Sequence, residues 1–355
     1  MTTIAVTGMN AKPDNPGPGL AVARCLRAAL ARDVRIIGFG YDMLDPGLYL
    51  RETIDAGYLL PYPSAGEEAL FARLAAVHAD DPIDAFIPCL DAELAGVIRL
   101  QPRLNELGMR SFLPTAEQVQ LRAKDRLPEL AERAGIQCPE LRVLHHPGFL
   151  AAGRDEDWPY PLVVKGVFYD AEICANAEQA TAAFHRIAAD WGLPVLVQRY
   201  VDGEEYNLAA LGDGDGAMLG AVMMKKKAVT SKGKAWAGVC TFDQRLHDAA
   251  AALVKALRWR GPLEVEVMRD AKGEYHLIEI NPRFPAWTYL TQGAGRNLPA
   301  ALVDLIFGRA PPAFAEARVG TMFVRYAEEI IVPLAEYESI VITGQTAADR
   351  EHGQA

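Results

Sequence analysis

Two glutamates set the first constraint on what this chain can do. The stretch GPLEVEVMRDAKGEYHLIEINPRF runs from Gly261 to Phe284. It reads as two strands joined at DAKGE, a turn signal. Side chains alternate across a strand. Glu264 and Glu266 therefore leave one face, and Leu263, Val265 and Val267 the other. On the second strand, Leu277, Glu279 and Asn281 oppose Ile278 and Ile280. With Lys272 and Gly273 as the central turn residues, Glu266 faces Glu279 and Glu264 faces Asn281. Directly opposed Cβ atoms lie about 5 Å apart, so two like charges there need compensation. A divalent cation supplies it, since Mg²⁺ takes a few carboxylates together with phosphate oxygens. Arg283 follows the strand, where its planar fork suits a phosphate or carboxylate.

Other cations fall where anions would need them. Lys165 ends the apolar run YPLVVKG, and a charge among buried aliphatics calls for an anionic partner. Lys124 lies in the charged segment AKDRLPELAERAGIQCPE. In KKKAVTSKGKAWAG, Lys225, Lys227, Lys232 and Lys234 lie on or beside a strand expected to border the cleft. Of these, Lys225 and Lys234 are candidates to act beside Arg283. The aromatic stretch FPAWTYLTQGAGRNLP reads either as a wall of the substrate pocket or as core packing.

These residues need a scaffold. The first third alternates apolar strands (Thr3–Gly8, Val34–Gly40, Ala85–Cys89) with helical patterns, which predicts a doubly wound parallel sheet. Ligands of such sheets bind beyond the C-terminal strand ends. Those ends are the loop Thr7–Gly19, the turn Gly40–Asp42, and Cys89–Asp91 with Glu93 behind it. The loop has Gly8, Gly17 and Gly19 without dinucleotide spacing, so a nicotinamide site is not expected. Asn10 and Lys12 in this loop, and Asp91 and Glu93 beyond the third of these strands, are substrate candidates, although Asp91 and Glu93 also suit a helix cap. From Phe112–Thr115 onward, short turns between strands predict antiparallel sheets. Half of the 355 residues are hydrophobic, the net charge is −10, and five cysteines are scattered without C-x-x-C spacing. These features argue against generic nucleic-acid or membrane-surface attraction, a disulfide framework and a zinc site. No apolar run approaches about 18 residues, and a cytoplasmic setting is expected.

Glu266, followed by IEINPRF with Glu279, Asn281 and Arg283, resembles the metal-binding hairpin of the ATP-grasp superfamily, in the style of the carbamoyl phosphate synthetase large subunit and biotin carboxylase. Lys124 and Lys165 are similar to the family's two ATP lysines. QRYVDGEEYN resembles its interlobe hinge. The resemblance implies that Gln198, Arg199, Tyr200 and Val201 meet adenine and Glu205 the ribose. Glu266, Glu279 and Asn281 would hold Mg²⁺, for which Mn²⁺ can substitute. It further implies a pre-ATP-grasp Rossmann-like domain (1–114), a small lobe (115–200), a C-terminal lobe (201–345) and a flexible tail (346–355). GVFYDAEICANAEQ lacks the glycine-rich flap of many members, so phosphate shielding must come from elsewhere. The hinge also carries Gln198 and Arg199 where a glutamate is common.

Two functional classes follow. One is a standalone, ADP-forming carboxylate–amine ligase acting on small-molecule or peptide substrates. The other is an ATP-binding regulatory or partner protein that keeps the fold without ligation. Neither reading calls for nucleic acid or a membrane, and a homodimer is compatible with both.

Overall fold

The protein is described here by a computed structural model covering residues 1–152, 158–167 and 170–346. The N-terminal part comprises β1 (Thr2–Thr7), α1 (Gly19–Leu30), β2 (Val34–Gly40), β3 (Ala56–Leu59), α2 (Glu67–Asp80), β4 (Ala85–Ile87) and α3 (Asp91–Glu106). Its sheet is parallel, in the order β3-β2-β1-β4. Alternate residues of β1 feed two cores, Ile4 and Val6 toward α1, and Ala5 toward α2 and α3. β3 is absent from the sequence reading, since AGYL is too short to show a period.

Two helices, α4 (Ala116–Leu121) and α5 (Leu127–Ala134), flank a single 3₁₀ turn at Lys124–Arg126. They lead into β5 (Leu141–Leu144), α6 (Gly148–Ala152), β6 (Leu162–Gly166), β7 (Ala171–Cys174), α7 (Ala177–Trp191) and β8 (Val195–Arg199). These strands form an antiparallel sheet ordered β5-β8-β6-β7. Leu162, Val164, Val195 and Val197 pack on α7 in a core of their own, so by alternation Val163, Lys165, Leu196 and Gln198 line the opposite face. Two residues of the flap segment, Phe168 and Tyr169, lie outside the described residues.

The last part holds β9 (Gly203–Asp213), β10 (Met218–Val229), β11 (Ala235–Thr241), α8 (Gln244–Leu257), β12 (Arg260–Asp270), β13 (Tyr275–Asn281), α9 (Tyr289–Gly293), α10 (Leu298–Ile306), β14 (Met322–Val324) and α11 (Leu334–Thr343). Its six-stranded sheet runs β13-β12-β9-β10-β11-β14, with every pairing antiparallel. β8 and β9 are not a hairpin; Tyr200–Asp202 carries the chain from one sheet to another. One face of the large sheet packs on α5 and α8. Ala209, Leu211, Val222 and Met224 on the other face share a core with Val6, Val22, Leu26 and Leu302. The hydrophobic core thus crosses the boundary at residue 114, whereas that of the small sheet stands apart.

The C-terminus also departs from expectation. After β14 the chain returns to the N-terminal sheet, where Leu59 N donates to Gly344 O at 2.8 Å. Thr346, assigned to a flexible tail, is buried instead: its N donates to Gly57 O at 2.8 Å and its Oγ1 accepts from Gly57 N at 2.9 Å. The edge strand β3 would otherwise expose unpaired backbone groups. Residues 347–355 lie outside the described residues. Among the described residues, no helix is long and apolar enough to cross a membrane.

Candidate active site

The acidic residues converge through the expected register, but a different turn produces it. Glu266 pairs with Glu279, and Glu264 with Asn281. The turn, however, has three central residues rather than two: Asp270 N donates to Glu274 O, and Gly273 adopts φ +81. A bulge at Ile278 removes the extra residue before the pairing reaches Glu279. Leu277 and Ile280 both enter the core, so the expected grouping of Leu277 with Glu279 and Asn281 is corrected.

Glu264 is buried and held from three sides. It accepts from Asn207 Nδ2 at 2.8 Å, Asn281 Nδ2 at 3.1 Å and Trp287 Nε1 at 2.7 Å. Asn281 Nδ2 also donates to Glu266 at 2.8 Å. Burial, then the neighbouring Glu264, pushes the Glu266 carboxyl well above its ordinary pKa. Burial acts the same way on Glu279, but Lys124 and Lys165 outweigh it and hold Glu279 below the ordinary value. The asymmetry follows from position: Lys124 Nζ lies 3.2 Å from Glu279, while Glu266 is crowded by acids.

From the small sheet, Lys165 points into the same cleft. Its Nζ donates to Gln198 Oε1 at 2.6 Å, and burial, with Lys124 adding repulsion, lowers its pKa to about 8. Lys124 is no solvated helix residue: it also donates to Gly166 O at 3.3 Å. Gln198 is buried by its side chain. Arg199, Tyr200 and Val201 lie partly exposed on the interlobe connection, where Arg199 meets Glu140 at 3.3 Å.

Strand alternation corrects one assignment. Lys225 lies on the far face of β10, with its Nζ 2.6 Å from Glu204 and 5.7 Å from the Tyr206 ring centroid. Lys226 faces the cleft and pairs with Glu205. In a run of three lysines, only the register of the apolar residues before it (Met223 and Met224 in different cores) tells the faces apart. Lys234 is exposed at the β10–β11 tip and close enough to act on Asp91.

At the cleft edge, Arg283 Nε meets Asp91 Oδ2 at 2.6 Å. Burial disfavours both charges, yet each supports the other. Asp91 is held below the ordinary carboxylate range by Arg283, Arg122 and Lys234, and Arg283 is held above its ordinary value by Asp91, Glu264 and Glu266. Glu93, two residues on, is not a substrate group. It is enclosed by donors: Cys89 N and Leu90 N, each at 2.9 Å, and the hydroxyls of Thr7 and Tyr41. These contacts tie the ends of β1, β2 and β4 to α3, and burial raises its pKa. Asn10 is occupied within its own loop, donating to Asn15 O at 3.2 Å, whereas Lys12 is exposed.

Arg122, Asn207 and Lys226 also line the cleft, although the sequence does not single them out. Asn207 was within reach of the sequence reading, two residues after Glu205 on one strand. Trp287 and Phe284 are core residues, and Trp287 also anchors Glu264, so the aromatic stretch serves packing and site together.

The donor set suits Mg²⁺. Glu266 is an undercompensated carboxylate opposite an ionised one. Among the described residues no group of three His, Cys, Asp or Glu gathers as a metal cage.

A family model described as ATP-grasp in the biosynthetic pathway with Ter operon matches residues 193–329. A D-alanine–D-alanine ligase of Chromohalobacter salexigens is 27% identical over 180 residues, covering 44% of this chain and 54% of that protein. The chain therefore spans about half the length of that relative. The arginine-specific carbamoyl phosphate synthase large chain of Geobacillus stearothermophilus is 25% identical over 211 residues, 52% of this chain and 19% of that one. The biotin carboxylase domain of Hydrogenobacter thermophilus 2-oxoglutarate carboxylase, solved with MgADP, ADP and bicarbonate, superposes with a TM-score of 0.67 at 16% identity, over 90% of this chain and 73% of that one. Its likeness is one of fold. The family model over residues 193–329, the two sequence relatives and the shared fold together support an ATP-grasp superfamily member.

Proposed function

We propose that the protein is an ADP-forming ligase that joins a carboxylate to an amine. One observation carries this reading: Lys124 and Lys165 face Glu266, Glu279 and Asn281 across a single cleft, with Arg283 at its edge. Phosphoryl transfer depends chiefly on positioning and charge neutralisation. Lys124 and Lys165 would neutralise phosphate oxygens, and Glu266, Glu279 and Asn281 would hold Mg²⁺, which lowers the charge on the phosphates. Glu205 and residues 198–201 would take the nucleoside. The substrate carboxylate oxygen attacks the γ-phosphorus, and the β–γ bridge breaks to leave ADP and an acyl phosphate. The amine then attacks the acyl carbon, loses a proton and expels phosphate. Arg283 lies where it can steady the transferring group, while Lys12 and Asp91 border the substrate side. The lobe at residues 115–200 would close over the nucleotide.

The test is ADP release against a panel of amino acids, peptides and small acids. Release that needs both a carboxylate and an amine supports the ligase. Nucleotide binding without release under any pair favours the regulatory reading. With a productive pair in hand, Lys12→Ala raises the carboxylate KM and leaves ATP affinity nearly unchanged.

A second expectation concerns Lys165. Because its pKa is lowered to about 8, part of the population is neutral near that pH. Phosphate beside it favours the charged form, so ATP binding without divalent metal should take up protons near pH 8. Calorimetry in buffers of different ionisation enthalpy reads this uptake. Lys165→Met should lose it, together with about 1.5–3 kcal/mol of ATP affinity, the range for a hydrogen bond to a charged group. Unchanged uptake and affinity would remove Lys165 from the site.

A further inference from the structure

We infer that Lys226 is a tethered counter-ion: it fills the acid face of the nucleotide-free protein and is displaced when a divalent cation enters with nucleotide. The inference rests on the metal assignment proposed above.

The cleft face of the large sheet carries four carboxylates, Glu205, Glu264, Glu266 and Glu279. Each is on a strand and cannot retreat. Two lysines answer them directly. Lys124 reaches Glu279 from the small lobe at 3.2 Å. Lys226 rises from within the acid face, its side chain only 10% exposed, and its ammonium pairs with Glu205. Burial opposes its charge, but Glu266, Glu205 and Glu264 outweigh that and keep it protonated. Glu266 itself is bonded to the Asn281 amide. Lys226 therefore brings positive charge onto the face that carries the proposed metal ligands.

A fixed ammonium and a divalent cation held on one acid face repel each other. Lys226 has the means to leave, since its ammonium rides on a flexible four-carbon stem. Its second bond, to Gly233 O at 3.1 Å, lies at the tip between β10 and β11. That tip rests on the N-terminal loop, with Thr230 Oγ1 donating to Asp14 O at 3.0 Å and Lys232 3.4 Å from Asp14. Releasing Lys226 thus removes one of the bonds that fold the tip back on the acid face, so metal entry would be felt at the hairpin covering the substrate side.

The test is Mn²⁺ binding to the nucleotide-free protein, read by electron paramagnetic resonance of free Mn²⁺. Lys226→Met and Lys226→Gln should bind Mn²⁺ roughly tenfold or more tighter than wild type, the size of one unit-charge repulsion of about 1.4 kcal/mol. Lys226→Arg keeps the charge and should stay with wild type. Adding ADP should narrow the gap, because nucleotide then draws the ion in for all of them. Lys226→Gln can still donate to Glu205, so it carries the test if Lys226→Met misfolds by circular dichroism. Variants that bind Mn²⁺ no better than wild type without nucleotide, while ADP brings Mn²⁺ to wild type, would overturn this inference alone. Absence of Mn²⁺ binding in every protein, even with ADP, would instead overturn the metal assignment beneath it.

Discussion

Glu279→Gln stops ADP release while the protein stays folded. Removing a group that organises charge in phosphoryl transfer costs about three orders of magnitude or more, so turnover should fall at least that far under every substrate pair. Glu279 is the acid that the structure keeps ionised: Lys124 and Lys165 overcome its burial, whereas Glu266 opposite it is pushed toward the neutral form. It is therefore the stronger ligand of the two for a hard cation. Glutamine preserves the shape of the side chain and leaves the β12–β13 pairing untouched. Its effect on stability has two opposing parts, loss of the Lys124 ion pair and relief of repulsion from Glu266, so the melting temperature should shift little. The measurement is steady-state ADP release beside thermal unfolding. Near-normal release from a folded variant would exclude Glu279 from the metal site.

Arg283→Met loses both activity and stability, and the stability loss depends on pH in a defined direction. Arg283 and Asp91 are largely enclosed, at 15% and 23% side-chain exposure. Breaking such a pair from one side costs about 3–5 kcal/mol because the remaining charge is left buried. In wild type, the folded-state pKa of Asp91 lies below its unfolded value. Its contribution is thus complete above the ordinary carboxylate pKa, about 3.9, and is lost as pH falls through the lower folded value. Without Arg283, burial moves the folded pKa of Asp91 upward, against Arg122 and Lys234. The variant then binds its proton at higher pH and loses less on acidification. Denaturant unfolding should show the largest wild-type advantage near neutral pH, narrowing as the pH falls through the variant's raised Asp91 pKa toward the lower wild-type value. A pH-independent gap would mean that the pair does not set the stability difference. ADP release should fall about 10²–10³-fold, as when a donor to developing charge is removed. Release at the wild-type rate would place Arg283 outside the chemistry.

Much of the fold and site was legible because it depends on local periodicity. Strand–helix alternation in the first third announced the parallel sheet, and the polar residues of Leu263–Val267 and Leu277–Asn281 marked the acid face. Other features were hidden because they depend on partners far along the chain. Glu93 looks like Asp91 in sequence, but Thr7 and Tyr41 enclose the first and Arg283 pairs with the second. Lys225 and Lys226 are equivalent in composition, and a single residue of register sends one to Glu204 and the other to Glu205. Thr346 reads as the start of a polar tail until its partner, Gly57, is known.

The hairpin shows where the division falls. By itself, the sequence determined that Glu266 and Glu279 belong to adjoining antiparallel strands, because alternating acids and aliphatics around an Asp-Ala-Lys-Gly turn leave few other folds. It could not determine how the two came to face each other. The turn takes one residue more than its shortest form, which would have slipped the register and turned Glu279 away from Glu266. The bulge at Ile278 takes that residue back. Only the tertiary structure decides this, because Leu277 and Ile280 are both drawn into the core against α5 and α8. Side chains alternate with a period of two residues, so these two can face the same way only if the strand between them gives up one residue of regular pairing.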